Sequence, residues 1–248
     1  MMDSVLMFHD VYRDSFSESG FQSAGANHYK ITEALFVEQL DSLSVLPLTW
    51  TFDDGGASSY SVIATLLEQY NLKGHFFIVT DRIGSEGFLS TNQIRDLYNR
   101  GHIIGSHSRS HPENLKSLSY EERKKEWTES VLLLNSLIES QINEVSVPNG
   151  FFDENDIAVL RELGITKVYT SSLLDDYVDN TIHVLGRIGI DPSFSSRKIN
   201  RILSGGCFSH MLILRQRLLS ALKCVLGHHY LKLKSFIRTL EIHKRTTP

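Results

Sequence analysis

Cysteine is nearly absent: 248 residues hold two, Cys207 and Cys224. They form no C-x-x-C pair and have no partners at zinc-site spacing, which excludes a thiolate metal centre or a disulfide framework. Free buried thiols are the expectation for both, with a single disulfide as the alternative. Pro is also scarce, at five, and no low-complexity tract or internal repeat is present, which excludes collagen-like and solenoid architectures. No stretch approaches the roughly 20 apolar residues that cross a bilayer. The opening run Met1 to Phe8 lacks the basic segment and the hydrophobic region of a secretory leader. The expectation is a cytoplasmic protein, one large domain or a domain with an appendage. The length suffices to bury a sizeable core.

The net charge of −4 hides a division. From Pro192 onward there are eleven Lys or Arg and one acid, Glu241, a net +10, which leaves −14 on the rest. An acidic body with a basic arm follows, divided as residues 1–191 and 192–248. Within the arm, Met211, Leu214, Leu218, Leu219, Leu222, Val225 and Leu226 form one apolar stripe. Tyr230, Leu231, Leu233, Phe236, Ile237 and Leu240 form a second, after Gly227. The pattern predicts two amphipathic helices, docked on the body or lying against anionic lipid. Peripheral contact at the inner face of the membrane is therefore an option, and no nucleic-acid partner is expected.

Up to about Arg187, short β-like runs alternate with helical ones. Strands are expected at Val5–Phe8, Leu48–Phe52, His75–Val79, Ile103–Ile104, Val145–Val147, Lys167–Tyr169 and His183–Leu185, the last extending as far as Ile188. Helices are expected over Thr32–Leu43, Ser58–Tyr70 (capped by Ser58 or Ser59), from Ser90 to before Gly101, Ser119–Glu139 and Asp153–Leu163. Ser90-Thr91-Asn92-Gln93 and Ser119-Tyr120-Glu121-Glu122 have the form of capping boxes. The order implies an α/β fold with about seven parallel strands and helices outside, a distorted (β/α) barrel or an open sheet. In either, groups at the C-terminal strand ends face the functional mouth.

Two short segments carry the chemistry. Thr51-Phe52-Asp53-Asp54-Gly55-Gly56 and Gly105-Ser106-His107-Ser108-Arg109-Ser110-His111-Pro112 each follow a strand-like run. Two imidazoles and one carboxylate can hold a divalent transition metal, leaving the other carboxylate free to handle a proton. Pro112 makes a regular helix through His111 unfavourable, so a loop is expected there. Each segment alone is weak; Asp-Asp-Gly after a strand commonly marks a turn. Their co-occurrence at equivalent strand ends points to metal-assisted hydrolysis.

Taken together, these segments closely resemble the polysaccharide deacetylase family (the NodB-homology domain, carbohydrate esterase family 4). Leu6-Met7-Phe8-His9-Asp10-Val11 is similar to the family's first strand, and the resemblance runs over about residues 5–190. It implies a barrel short of eight strands that hydrolyses N-acetyl or O-acetyl groups on sugars. By position it implies Asp53 as general base and Asp54, His107 and His111 as ligands of zinc, or of cobalt, nickel or iron. The turn Pro148-Asn149-Gly150 and His9 would line the substrate pocket.

Two departures qualify the resemblance. The family's third motif carries an Arg that orients the catalytic Asp, and Ser146 stands in its place. Arg187, from Leu185-Gly186-Arg187-Ile188, is the candidate replacement. The family's late His, the general acid, has no clear counterpart, and His183 is the nearest by position. The implied partner is an acetylated amino-sugar oligosaccharide or a precursor of a surface or capsular polysaccharide. Contact with a glycosyltransferase complex through residues 192–248 would suit it. The departures also motivate a second reading, a lapsed enzyme that binds glycan without turnover.

Overall fold

The structure is a computed structural model that describes residues 4–173, 175–205 and 214. The two helices expected within 211–240, and both cysteines, lie outside the described residues apart from Leu214.

The central sheet is built from β1 (Ser4–Phe8), β4 (Leu48–Phe52), β5 (Gly74–Ile78), β6 (Ile103–Ser106), β7 (Glu144–Ser146), β8 (Lys167–Tyr169), β9 (Asp176–Asp179), β10 (Ile182–Leu185) and β11 (Ile188–Gly189). A separate pair, β2 (Val11–Tyr12) and β3 (Ile31–Thr32), lies beside the first helices. The order across the main sheet is β11-β1-β4-β5-β6-β7-β8-β10-β9, and every pairing is parallel except β9 with β10. All seven expected strands are present, in a curled, mostly parallel half-barrel. The sequence pattern missed β9, a charged edge strand whose Tyr177 and Val178 are exposed and carry no burial alternation. It also merged β10 with β11. Gly186 separates them, because backbone carbonyls of Ser172 and Asp175 leave no room for a Cβ there. The strand ends at that point, and Leu6 and Met7 of β1 receive Ile188 and Gly189 as partners.

Helices α2 (Glu33–Leu43), α3 (Ala64–Gln69), α4 (Thr91–Asn99), α5 (Tyr120–Ile138) and α6 (Glu154–Glu162) cover the outer face; a short α1 (Ala24–Asn27) precedes β3. The side chains of Thr32, Ser90, Ser119 and Asp153 cap α2, α4, α5 and α6, and the last three form full capping boxes. Ser58 makes no cap bond. The chain enters α3 through a wide turn at Ser59–Ile63, and the Ser58 hydroxyl instead donates to Asp10 at 2.8 Å.

Alternation along the strands divides the interior in two. Leu6, Phe8, Trp50, Phe52, Phe76, Ile104 and Val168 face outward and join Phe36, Leu67, Trp127 and Leu134 of the helices in one continuous core. Each fully buried large side chain contributes roughly 1.5–3 kcal/mol there. Val5, Phe77 and Tyr169, with Leu185, face inward as a separate small cluster. That cluster plugs the half-barrel and separates a polar layer at the strands' C-terminal ends from one at their N-terminal ends.

The segment after Pro192 begins by docking on the body. Gln39 donates to the Phe194 carbonyl at 2.6 Å, and Ser196 donates to Glu38, which ties α7 (Ser196–Leu203) to α2. Among the described residues no helix is long and apolar enough to cross a membrane.

Candidate active site

The loops after β4 and β6 meet at the C-terminal mouth of the sheet. Parallel pairing of β4 with β5 and of β5 with β6 sets the strand ends side by side. His107 N donates to Ile78 O at 2.9 Å, and Asp53 N donates to Phe8 O at 3.0 Å, so both loops leave the sheet from fixed points. Asp54, Ser108, His111 and Asn149 have φ of 75°, 63°, 59° and 55°. Non-glycine residues seldom adopt the left-handed region, and clustering of such residues marks backbone held by its surroundings at a functional site. The His loop is held by a hydroxyl network. Ser106 Oγ lies 2.7 Å from Ser130 Oγ, Ser108 Oγ accepts from His111 N at 3.1 Å, and Glu126 accepts from both Ser110 N and Ser110 Oγ.

Asp54, His107 and His111 each bring one ligand atom to a common point, all within 4.8 Å of one another. Asp54 Oδ1 lies 3.5 Å from His107 Nε2 and 3.6 Å from His111 Nε2. That oxygen is buried and has no hydrogen-bond partner. His107 Nδ1 is 2.8 Å from the Ser146 carbonyl, which can only accept, so Nδ1 carries the proton and Nε2 offers its lone pair. Burial pushes His107 down to about 3 and lowers His111 as well, so both imidazoles are neutral at pH 7. Burial pushes Asp54 up to about 7, with Asp53 and Asp10 adding to it and His9 and Lys30 opposing. A buried carboxylate oxygen without a donor, facing two neutral imidazole nitrogens, suits a divalent transition cation. The residues present therefore fit the metal that the sequence pattern implied.

Asp53 is held by a second set of groups. Arg187 Nη1 donates to Asp53 Oδ1 and Arg187 Nη2 to Oδ2, both at 2.7 Å, a bidentate pair buried on both sides. The guanidinium also donates to Thr51 Oγ1 at 3.0 Å, Thr170 O at 3.0 Å and Ser146 Oγ at 2.8 Å. It rests over the rings of Phe77 and Tyr169 in the apolar plug. Ser146 Oγ passes a hydrogen bond on to Asp53 Oδ2 at 3.1 Å. Burial alone would raise Asp53, but the Arg187 charge, aided by His107, outweighs it and holds the carboxyl far below the usual range. Asp53 Oδ2 stands 3.9 Å from His107 Nε2, which joins the two groups into one site.

The remaining expected residues divide. His9 follows β1 at the mouth, stacks on Tyr29 with ring centres 4.8 Å apart, and bears electrostatically on both Asp53 and Asp54. Its Nδ1 is buried without a partner. The Pro148–Asn149–Gly150 turn ends β7 beside Ser146, with Pro148 buried and Asn149 exposed. His183 is elsewhere, which corrects its expected place at the site. It pairs in register with Lys167 at the N-terminal ends of the strands, is half-exposed, and sits 2.8 Å from Asp176 of β9.

Sequence reasoning missed Asp10 and Lys30. Asp10 is buried, accepts from the hydroxyls of Ser19 and Ser58, and fills the space where a Cβ on Gly20 or Gly56 would stand. Buried Lys30 Nζ donates to the carbonyls of Phe16 and Ser19. Together they pin the 10–30 loop against the Asp53–Gly56 turn. Asp10 follows His9 directly, but its partners are distant in sequence, so only that adjacency hinted at it.

Residues 46–168 match the family model described as polysaccharide deacetylase. The Bacillus subtilis protein YxkH is 26% identical over 145 residues, covering 58% of this chain and 52% of its own length. The peptidoglycan-N-acetylglucosamine deacetylase of Bacillus cereus is 31% identical over 108 residues, covering 43% of this chain and 38% of its own. The chain thus spans about half, or less, of these curated relatives. Among solved structures, the Streptococcus pyogenes deacetylase PplD superposes with a TM-score of 0.67 at 20% identity over 80% of this chain and 96% of that one, a likeness of fold. With Asp53, Asp54, His107 and His111 all inside the matched segment, the chain belongs to the polysaccharide deacetylase (NodB-homology, carbohydrate esterase family 4) family.

Proposed function

We propose that the chain is a metal-dependent deacetylase that hydrolyses the N-acetyl group of an amino sugar within an oligosaccharide or polysaccharide. The observation that carries the reading is the juxtaposition of Asp53, kept ionised by Arg187, with an Asp54–His107–His111 cluster whose carboxylate oxygen lacks a donor. The N-acetylglucosamine in the name of the Bacillus cereus relative supports the choice of N-acetyl over O-acetyl.

Asp54, His107 and His111 would hold a divalent transition ion, zinc first and cobalt, nickel or iron next. When bound, the ion supplies Lewis acidity toward the acetyl carbonyl and the attacking water. Asp53 accepts the water's proton at a carboxylate oxygen. The pairing that keeps Asp53 ionised also makes it a weak base, so its contribution is position, and the proton is readily passed on. Arg187 and Ser146 set the plane of that carboxylate, the task that falls to the missing Arg of the third motif. His9 stands where His183 does not, beside both carboxylates with Nδ1 unpartnered, and protonates the leaving amine.

Acetate release from N-acetylated chitooligosaccharides and peptidoglycan fragments by zinc-, cobalt- or nickel-loaded protein tests the reading. Turnover is expected, and Asp53→Asn should lower kcat by about 10²–10⁴-fold while zinc still binds. Stoichiometric metal with no acetate from any of these glycans would leave the lapsed, glycan-binding reading in its place.

A further inference from the structure

Among the described residues, one cation beside the proposed site has no carboxylate to neutralise it. Arg82 ends the short turn Thr80–Arg82 that follows β5 at the mouth, and it is exposed. Its guanidinium lies 5.2 Å from the Phe21 ring centre and 6.0 Å from that of Phe88. Phe21 in turn packs on the His111 ring at 5.4 Å and on Phe88 at 5.0 Å. Arg82 is close enough to His111 for its charge to bear on that imidazole. Among the described residues no carboxylate pairs with it, although the body around it is acidic and its neighbour Asp81 pairs with Arg109.

The backbone under this group is fastened to both site loops. Thr80 N donates to Ser108 O and Asp81 N to Arg109 O, which ties the turn to the His107–His111 loop. Leu89 N donates to Gly55 O, and Gly56 bridges Phe88, which ties the far side to the Asp53–Gly56 turn. Gly20 N donates to Gly87 O, which brings in Phe21. A guanidinium held by aromatic faces keeps its full charge and leaves donors open, whereas an acidic partner would consume both. A planar fork of donors in that state matches a carboxylate or phosphate.

We infer that Arg82, seated on Phe21 and Phe88, is a specificity-determining residue that binds an anionic substituent of the acetylated saccharide, on the sugar being deacetylated or its neighbour. The inference rests on the deacetylase reading and narrows its substrate class to acidic N-acetylated glycans. Phe21 and Phe88, packed edge to face, give the sugar rings an apolar wall, and Arg82 reads their charge.

The test uses the full-length, zinc-loaded protein with three matched N-acetylated disaccharides: neutral, carboxylated and phosphorylated. Wild-type protein is expected to favour one anionic disaccharide over the neutral one in kcat/KM. In Arg82→Gln that preference should fall about tenfold, mainly through KM, with Arg82→Lys intermediate. Added salt should erode the wild-type preference and leave Arg82→Gln indifferent. The anion that responds identifies the source as carboxylate or phosphate. Equal effects of Arg82→Gln on neutral and anionic disaccharides, or a wild type without preference, would overturn the inference. Calorimetric binding of the same disaccharides is read in parallel. If no acetate is released, the deacetylase reading fails by itself, while anion-selective binding lost in Arg82→Gln still upholds the role of Arg82 and its absence overturns it.

Discussion

The mouth and the floor of the half-barrel each bury an acid among histidines, and they treat it in opposite ways. At the floor, Glu144 is 2% exposed; its Oε2 lies 2.6 Å from His75 Nδ1 and its Oε1 accepts from Lys167 Nζ at 2.9 Å. At the mouth, Asp54 is 4% exposed and its Oδ1 has no partner. Burial would raise Glu144, but the His75 bond and Lys167 outweigh it and the carboxyl is lowered, whereas burial prevails at Asp54. Equal burial with unequal satisfaction separates a group whose partners lie within the fold from one the fold leaves unsatisfied, because an unpaired buried polar atom costs stability unless something completes it. Val5, Phe77 and Tyr169 keep the two layers apart.

The comparison is sharpest at Asp54. Asp54→Asn should lower zinc affinity by at least about 100-fold, read by competition with a chelator, since even groups behind a ligand are worth 10–100-fold. In metal-free protein the same change should stabilise. The folded pKa of Asp54 is raised from 3.8 to about 7, so stability falls as pH rises through that interval. Asparagine has no such dependence, and a gain of roughly 2 kcal/mol at pH 8 is expected in denaturant melts. A loss at pH 8 would mean that Asp54 is already satisfied without a ligand.

Glu144→Gln should do the reverse, destabilising by roughly 1–3 kcal/mol while the folded protein keeps its metal affinity and turnover. Because the folded Glu144 is depressed, its contribution is complete above the ordinary value of 4.5 and is lost as pH falls below it. The variant should therefore show a flatter acid limb than wild type. Loss of metal binding in this variant would erase the distinction between the two layers.

Smaller effects refine the boundary. Ser146→Ala removes the hydroxyl between Arg187 and Asp53, and a loss of about 1 kcal/mol with a drop in kcat of about tenfold is expected. An unchanged kcat would show that Arg187 alone orients Asp53. His183→Ala, at the floor, should change stability by less than about 1 kcal/mol and kcat within about twofold, since its pair with Asp176 is solvent-exposed. A large fall in kcat would return His183 to the reaction.

The sequence by itself determined the alternation of strand and helix, the caps at Ser90 and Ser119, and the placing of Asp54, His107 and His111 at neighbouring strand ends. Those are signals of period, spacing and residue type within a short window. It offered Arg187 as the candidate partner of Asp53, a contact the fold makes, but it could not decide which histidine shares that pocket. Arg187 and Asp53 are 134 positions apart, and their contact depends on the strand ending before Gly186 and on β11 pairing with β1. His9 and His183 look equivalent as residues after or within a β run, but strand direction puts one at the mouth and the other at the floor. Long-range pairing, not local propensity, selects which polar groups share a low-dielectric pocket, and that selection belongs to the tertiary structure.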